Sequence, residues 1–394
     1  MMNKKKSIIQ QDDHIILPKA TLRRFADNKT KKICCLKLSD SNNLAITKHY
    51  PKSFHTKPNY YNPEFDNIVK RYETLIGKWH KEIMNAIKTN TIESLITNRL
   101  EELKKDIIEL ITIQFHRTVL ADEKLLAQYI EQEKKRYEEF SANFFRSGRI
   151  PEGFLNNKQR FFNKEIDQVQ YYSQNILGQP NEGIEKTYKD SIPYIFYIPN
   201  EIDSTFLLPP QHFVPNNAFA RFILSPRLAL ALYKDNSPQR TIILKKEDVD
   251  CLVPRAIESA LSISKEYQEI IGEEKYLHYI KSKIEKYMSM IKEIAEEQII
   301  LISGDEEILQ DDQTILEMIV SIMYFKPESK KIIIETGVLS SKLLKLDETT
   351  KNEGLYMFAK WGYKIVLINQ HDLSNSNSGI AIAKTKEDAI KLLS

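Results

Sequence analysis

From residue 65 the apolar positions recur at intervals of three and four: Ile68, Val69, Tyr72, Leu75, Ile76, Trp79, Ile83, Ala86 and Ile87. That period predicts a helix with one buried stripe. A second helix is expected from near Thr91, with Thr91 to Ser94 supplying an N-cap, through Leu103, Ile107, Leu110, Ile111 and Gln114 to about residue 118. A third, over 121–145, is densely charged from Glu131 to Arg136 and exposes one face. Ahead of these helices the apolar run 32–38, followed by turn-prone Ser39 to Asn43, predicts a strand and a tight connection to a second strand over 44–47.

Past Ser147-Gly148 and Pro151-Glu152-Gly153 the pattern predicts a short helix over 158–174 and strands over 192–200, 204–208, 221–224 and 241–244. Ser225-Pro226 reads as the start of a helix, with serine as N-cap and proline at the first helical position. A long helix is expected from residue 246 through Ile271, and a charged connector helix over 273–297. Beyond it, strands over 332–335, 363–369 and 379–384 alternate with helices over 339–346, 353–361 and 386–393. The fold class these elements predict is α+β. Residues 1–272 form a mainly helical N-terminal domain with a small antiparallel sheet. Residues 273–394 form the connector helix and a small C-terminal α/β domain.

Composition changes this picture little and charge changes it locally. The net charge is only +3, yet the first sixty residues hold thirteen Lys or Arg against four Asp. A segment of that kind attracts phosphate backbones or other anions, so nucleic acid is one expected partner; a merely solvated basic face is the plainer alternative. Cys34, Cys35 and Cys251 make no spaced disulfide framework, which fits a reducing cytoplasm. The longest apolar runs, such as 228–233, are far too short for a membrane span, so no membrane partner is expected.

The chemistry concentrates near the N-terminus, where His14, Pro18, Arg23 and Arg24 stand close together, and at Gln114 and Arg117 on the second helix. An imidazole can act as general acid or base, and arginines can clamp phosphate oxygens. Gln114 and Arg117, three apart, share a helix face at the end of an apolar stripe, where a buried Gln and Arg can equally satisfy backbone groups of the Pro18 loop. His116 is expected to face away, toward the surface. The eight histidines are scattered and no His-x-x-x-His or Cys-x-x-Cys occurs, so no metal centre is expected and no cofactor is assigned.

Four motifs in order resemble the bacterial family called domain of unknown function 4238. They are His14 to Pro18 with Leu22-Arg23-Arg24-Phe25-Ala26 and the following strand, Gln114-Phe115-His116-Arg117-Thr118 near a helix end, Asp203 beside a strand, and Leu224-Ser225-Pro226 at a helix start. The resemblance spans about residues 8–272 and leaves the C-terminal module outside. It adds Asp203 to His14, Arg23, Gln114 and Arg117 as a candidate site, and it implies a bacterial, anti-phage setting. Two functions remain open. One is a defence effector that cleaves nucleic-acid phosphodiesters through this site. The other is a non-enzymatic binding or sensor module in which the same cluster is structural and the C-terminal domain meets a protein partner.

Overall fold

The computed structural model describes residues 12–14, 16–39, 44–58, 60, 63–145, 160, 162–164, 168, 171–172, 180–211, 213–215, 219–234, 240–250, 252–289, 291–294, 299–302, 330–335, 363–368 and 380–393. The fold is mixed α+β. Two compact units make it up, residues 1–40 with 45–277 and residues 41–44 with 278–394.

The first unit opens with β1 (Asp12–His14), α1 (Lys19–Phe25), β2 (Ile33–Lys37), β3 (Ala45–His49) and β4 (Thr56–Pro58). β1 pairs antiparallel with β4, and β2 with β3. Pro18 starts α1: its carbonyl accepts the amides of Thr21 and Leu22, each at 3.1 Å. Thr21, Leu22 and Phe25 turn inward, while Arg23 is exposed.

The long α2 (Pro63–Lys88) has proline at its first position and buries Tyr72, Ile76, Trp79 and Ile83 completely, one stripe at helical spacing. The single helix expected to follow is divided into α3 (Ile92–Asn98) and α4 (Leu100–Ala121) at Arg99, whose backbone leaves the helical region at φ −130°, ψ 29°. Side-chain chemistry accompanies the break: the Arg99 guanidinium pairs with Glu82 and Glu102 and lies 4.6 Å from the Trp79 ring centre. α4 is buried at nearly every position toward its C-terminus. α5 (Glu123–Phe145) starts at Asp122, which is fully buried; its Oδ1 accepts the Leu125 amide at 3.0 Å and its Oδ2 the Ser264 amide at 2.6 Å.

α6 (Glu182–Tyr188), capped by Asn181, leads into β5 (Ile192–Tyr197), β6 (Phe213–Pro215), β7 (Phe219–Ser225), β8 (Leu228–Tyr233) and β9 (Thr241–Ile243). These strands form one sheet in the order β6-β7-β8-β5-β9. The helix expected at Ser225-Pro226 is therefore a correction: these residues close a β-hairpin, and Leu228-Ala-Leu-Ala-Leu-Tyr233 is a strand. Its period of two alternates leucines on one face with alanines on the other, a spacing that outweighs the local Ser-Pro cap signal. Leu228, Leu230 and Leu232 join Phe222, Leu224 and the stripes of α2 and α4 in the main core.

The long helix expected through Ile271 is likewise shorter. α7 (Lys246–Asp250) and α8 (Val253–Leu261) end before β10 (Glu269–Gly272), which pairs antiparallel with β2 and completes the sheet β10-β2-β3. Gly272 lets Leu207 and Leu277 pack closely against the end of this strand, since a Cβ there would stand 2.9 Å from Leu207 Cδ2 and 3.1 Å from Leu277 Cδ2. Residues 204–208, expected as a strand, contribute only the isolated bridge of Leu208 with Ile271.

α9 (Glu274–Ser289) carries the chain into the second unit. There β11 (Ile291–Ile294), β12 (Ile299–Ile302), β13 (Lys331–Glu335), β14 (Lys364–Ile368) and β15 (Ile380–Ala383) lie in sequential order, and α10 (Lys386–Leu393) follows. β12 to β15 are parallel, and β11 is an antiparallel edge. The connector helix expected to reach 297 stops at Ser289, because Ile291 to Ile294 is drawn into pairing with β12. Ala389 and Leu393 of α10 pack on Leu301, Ile333 and Val366. The helices expected over 339–346 and 353–361, and most of 158–174, lie outside the described residues.

Candidate functional site

The five residues singled out in the sequence occupy different settings. His14 takes its backbone place in β1 opposite Thr56, and its side chain lies outside the described residues. Arg23 is exposed on α1. Asp203 is exposed and forms a surface ion pair with Lys275 at 2.5 Å. Gln114 and Arg117, by contrast, are sealed, each with no accessible surface.

The sealed pair is organised around Tyr72. Its hydroxyl donates to Gln114 Oε1 at 2.6 Å, its ring lies 5.4 Å from the Arg117 guanidinium carbon, and its edge meets Phe222. Gln114 Nε2 donates to the Ile16 carbonyl at 3.1 Å and to Thr118 Oγ1 at 3.2 Å. The Thr118 hydroxyl in turn donates to the Gln114 carbonyl. Gln114 thus ties α4 to α2 and to the loop ahead of Pro18, inside the main core.

His116, expected at the surface, is buried as well. Its Nδ1 lies 2.7 Å from the Tyr172 hydroxyl, and burial pushes that phenol well above its ordinary range. The correction follows from the helix being buried at almost every position from Leu110 to Ala121, His116 included, with only Phe115 partly exposed.

Concave surface lies elsewhere. A groove of about 560 Å³ runs between α2, α4 and the α6 region. Ile68, Ile108 and Ile113 contribute apolar lining, Arg71 and Glu109 of the lining are ion-paired at 2.7 Å, and Lys104, Lys105 and Lys189 line it as well, Lys104 donating to the Lys189 carbonyl. Four cationic side chains line it against three carboxylates. The volume suits a small organic ligand. The sequence concealed this groove because its lining residues are drawn from two helices and from the distant Pro180 to Lys189 segment, with no shared spacing.

A second gathering was also illegible in the linear spacing. Cys35, His49 and Glu269 lie on β2, β3 and β10, with their ligand-type atoms all within 4.8 Å of one another. Burial pushes the Cys35 thiol well up, and it raises the Glu269 carboxyl despite the opposing pull of Lys37. His49, half-buried, is held below its ordinary value by desolvation and by Lys37.

No protein-family model, curated protein or solved structure matches this chain. Of the four motifs behind the sequence resemblance, Leu224-Ser225-Pro226 sits at the end of β7 and in a hairpin turn. Gln114 to Thr118 does lie near the end of a helix.

Proposed function

We propose that the chain is a non-enzymatic binding module whose Gln114–Arg117 cluster is structural and whose ligand site is the groove between α2, α4 and α6. The observation that carries this reading is the contrast in access: the polar pair is sealed, whereas the groove is open and of ligand size. Isoleucine walls favour an apolar body, and the lining's one cation in excess of its carboxylates, with Arg71 already paired to Glu109, favours an anionic group on it. The expected ligand is a small anionic amphiphile.

In this reading residues 1–272 form the ligand-binding domain. Residues 273–394 form a separate α/β domain available to a protein partner. No helix among the described residues is long and apolar enough to cross a membrane. The alternative of phosphodiester cleavage in bacterial defence needs His14, Arg23, Gln114, Arg117 and Asp203 to work together, whereas Gln114 and Arg117 are sealed and Arg23 and Asp203 are exposed.

The test uses the naphthalene sulfonate probe ANS, which joins an apolar body to an anion. Titration should give saturable fluorescence, weakened at least tenfold in Ile108→Glu, with circular dichroism unchanged. Equal binding by wild type and Ile108→Glu overturns the groove assignment. Purified protein should leave DNA and RNA intact with and without divalent cations; cleavage abolished by Arg23→Ala would restore the enzymatic reading.

A further inference from the structure

The three-stranded sheet β10-β2-β3 places chemically related side chains on one face by register alone. Cys35 pairs with Thr47 of β3 and with Ile271 of β10. His49 stands opposite Ile33, and Glu269 opposite Lys37, each two residues along β2 from Cys35. Because side chains alternate with a period of two, Cys35, His49 and Glu269 all project from the same face, with Cys35 in the centre. Cys35 has no accessible surface, Glu269 retains 9%, and the three ligand-type atoms lie within 4.8 Å of one another.

A fourth group comes from the segment after β3. His55 Nε2 is 3.8 Å from Glu269 Oε2. The residue adopts φ 46°, a left-handed conformation that costs a non-glycine residue energy, and its ring is fixed by stacking on Phe54 at 3.9 Å and by the edge of Tyr267 at 5.1 Å.

Two features of this cluster point to a cation. Glu269 Oε1 lies 3.6 Å from Lys37 Nζ, but Oε2 is buried with no hydrogen-bond partner and faces the histidine. A buried carboxylate oxygen without a donor is costly and calls for a positive partner. His49 Nε2 lies 3.0 Å from Thr47 Oγ1, and Thr47 is the residue paired with Cys35, so this contact fixes the imidazole beside the thiol.

We propose that Cys35, His49 and Glu269, with His55 as the fourth ligand, bind a single transition-metal dication, with zinc the best match to a thiolate, imidazole and carboxylate set. Zinc bonds of roughly 2.0–2.3 Å put neighbouring ligand atoms about 3.3–3.8 Å apart, so shifts of the order of 1 Å close the Cys35, His49 and Glu269 trio, and His55, 3.8 Å from Glu269 Oε2, joins it from the carboxylate side by a further turn of its side chain. Mixed sulfur and nitrogen ligation disfavours magnesium and calcium. The same trio does not read as a thiol nucleophile with its base, because Cys35 is enclosed and a substrate has no approach to it. Four protein ligands on a sheet and its adjoining loop make this a structural site, which ties β10 to β2, β3 and the His55 loop.

The experiment is a cobalt titration of the full-length, chelator-treated protein, followed by displacement with zinc. The expected result is one equivalent of Co²⁺ with a sulfur-to-cobalt charge-transfer band, abolished by zinc. A Cys34→Ser/Cys251→Ser variant should keep the band, since Cys35 is then the sole thiol. Glu269→Gln and His49→Gln should weaken binding at least tenfold, and His55→Gln should weaken it measurably. Zinc should also raise the thermal midpoint of wild type and not that of Glu269→Gln. A wild-type protein without the thiolate band, or a Glu269→Gln variant that binds as tightly as wild type, overturns the proposal. Neither result depends on the folding of the cysteine variants.

Discussion

Replacing Gln114 by leucine keeps the side chain's size and removes all its polar contacts, so it measures whether the sealed cluster holds the fold together. Three hydrogen bonds are lost: to the Ile16 carbonyl at 3.1 Å, to Thr118 Oγ1 at 3.2 Å and from the Tyr72 hydroxyl at 2.6 Å. A buried neutral hydrogen bond contributes about 1 kcal/mol net, and a polar group buried without its partner costs roughly 1–3 kcal/mol. The Ile16 carbonyl loses its amide donor inside the core, while leucine recovers some transfer free energy. The balance is a loss of about 2–4 kcal/mol.

The loss should also be local in character, because Gln114 is what links α4 to the segment that begins α1. In urea unfolding, followed by tryptophan fluorescence from the buried Trp79, the midpoint should fall by the corresponding amount. Hydrogen exchange of the Thr21 and Leu22 amides, which bond the Pro18 carbonyl, should accelerate even where the global midpoint is restored by a stabilising co-solute. Arg23→Ala is the control: an exposed position on the same helix should change stability by less than about 0.5 kcal/mol. A Gln114→Leu protein within about 1 kcal/mol of wild type, with unchanged exchange at α1, would refute a structural role for the cluster.

Two other perturbations test the physical account of α2. His80 is held near pKa 4, first by burial and then by the Arg24 guanidinium. Above pH 6.5 neither state protonates it; as pH falls toward 4 the unfolded chain takes up a proton that the folded chain refuses. Stability is therefore lost across pH 6.5 to 4, by on the order of 1–2 kcal/mol after allowing for partial exposure, and His80→Gln should flatten this window in urea midpoints measured against pH. Gly77 lies in the interior of α2, and a Cβ there meets only Arg24 Nη2, at an ordinary 4.0 Å. Gly77→Ala should stabilise by about 0.5–1 kcal/mol through helix propensity, and a lower thermal midpoint would show that the guanidinium is packed more tightly than that distance implies.

Much of the α2 to α5 region was legible because the period of its apolar residues survives in the structure: Tyr72, Ile76, Trp79 and Ile83 read as a stripe and are one. The strands Ile33–Lys37, Lys364–Ile368 and Ile380–Ala383 were legible for the same reason, as compact apolar runs. Errors arose where two local signals conflicted. Ser225-Pro226 carries a helix-start signature, yet the alternation of Leu228 to Tyr233 has the sheet's period, and six strand pairings to β5 outweigh one cap. Glu269 to Gly272 continued a helical reading until pairing with Cys34 to Lys37 drew it into a sheet, a partner more than two hundred residues away.

The same asymmetry governs the chemistry. Gln114 and Arg117 were conspicuous because they are polar residues on a helical stripe three apart, and such a position reports burial before it reports function. Burial of a polar pair makes hydrogen-bonded structure its first consequence. Cys35, His49 and Glu269 were inconspicuous because nothing in their separation along the chain resembles a ligand motif. Their convergence comes from antiparallel register, which converts Cys35↔Thr47 and Cys35↔Ile271 pairings into one shared face. A site assembled across strands obeys the geometry of the sheet instead of a spacing rule, so the absence of a spaced motif carries no weight against it. In such a fold the register can bring a buried atom without a hydrogen-bond donor beside other ligand-type side chains, as it does Glu269 Oε2 beside Cys35 and His49.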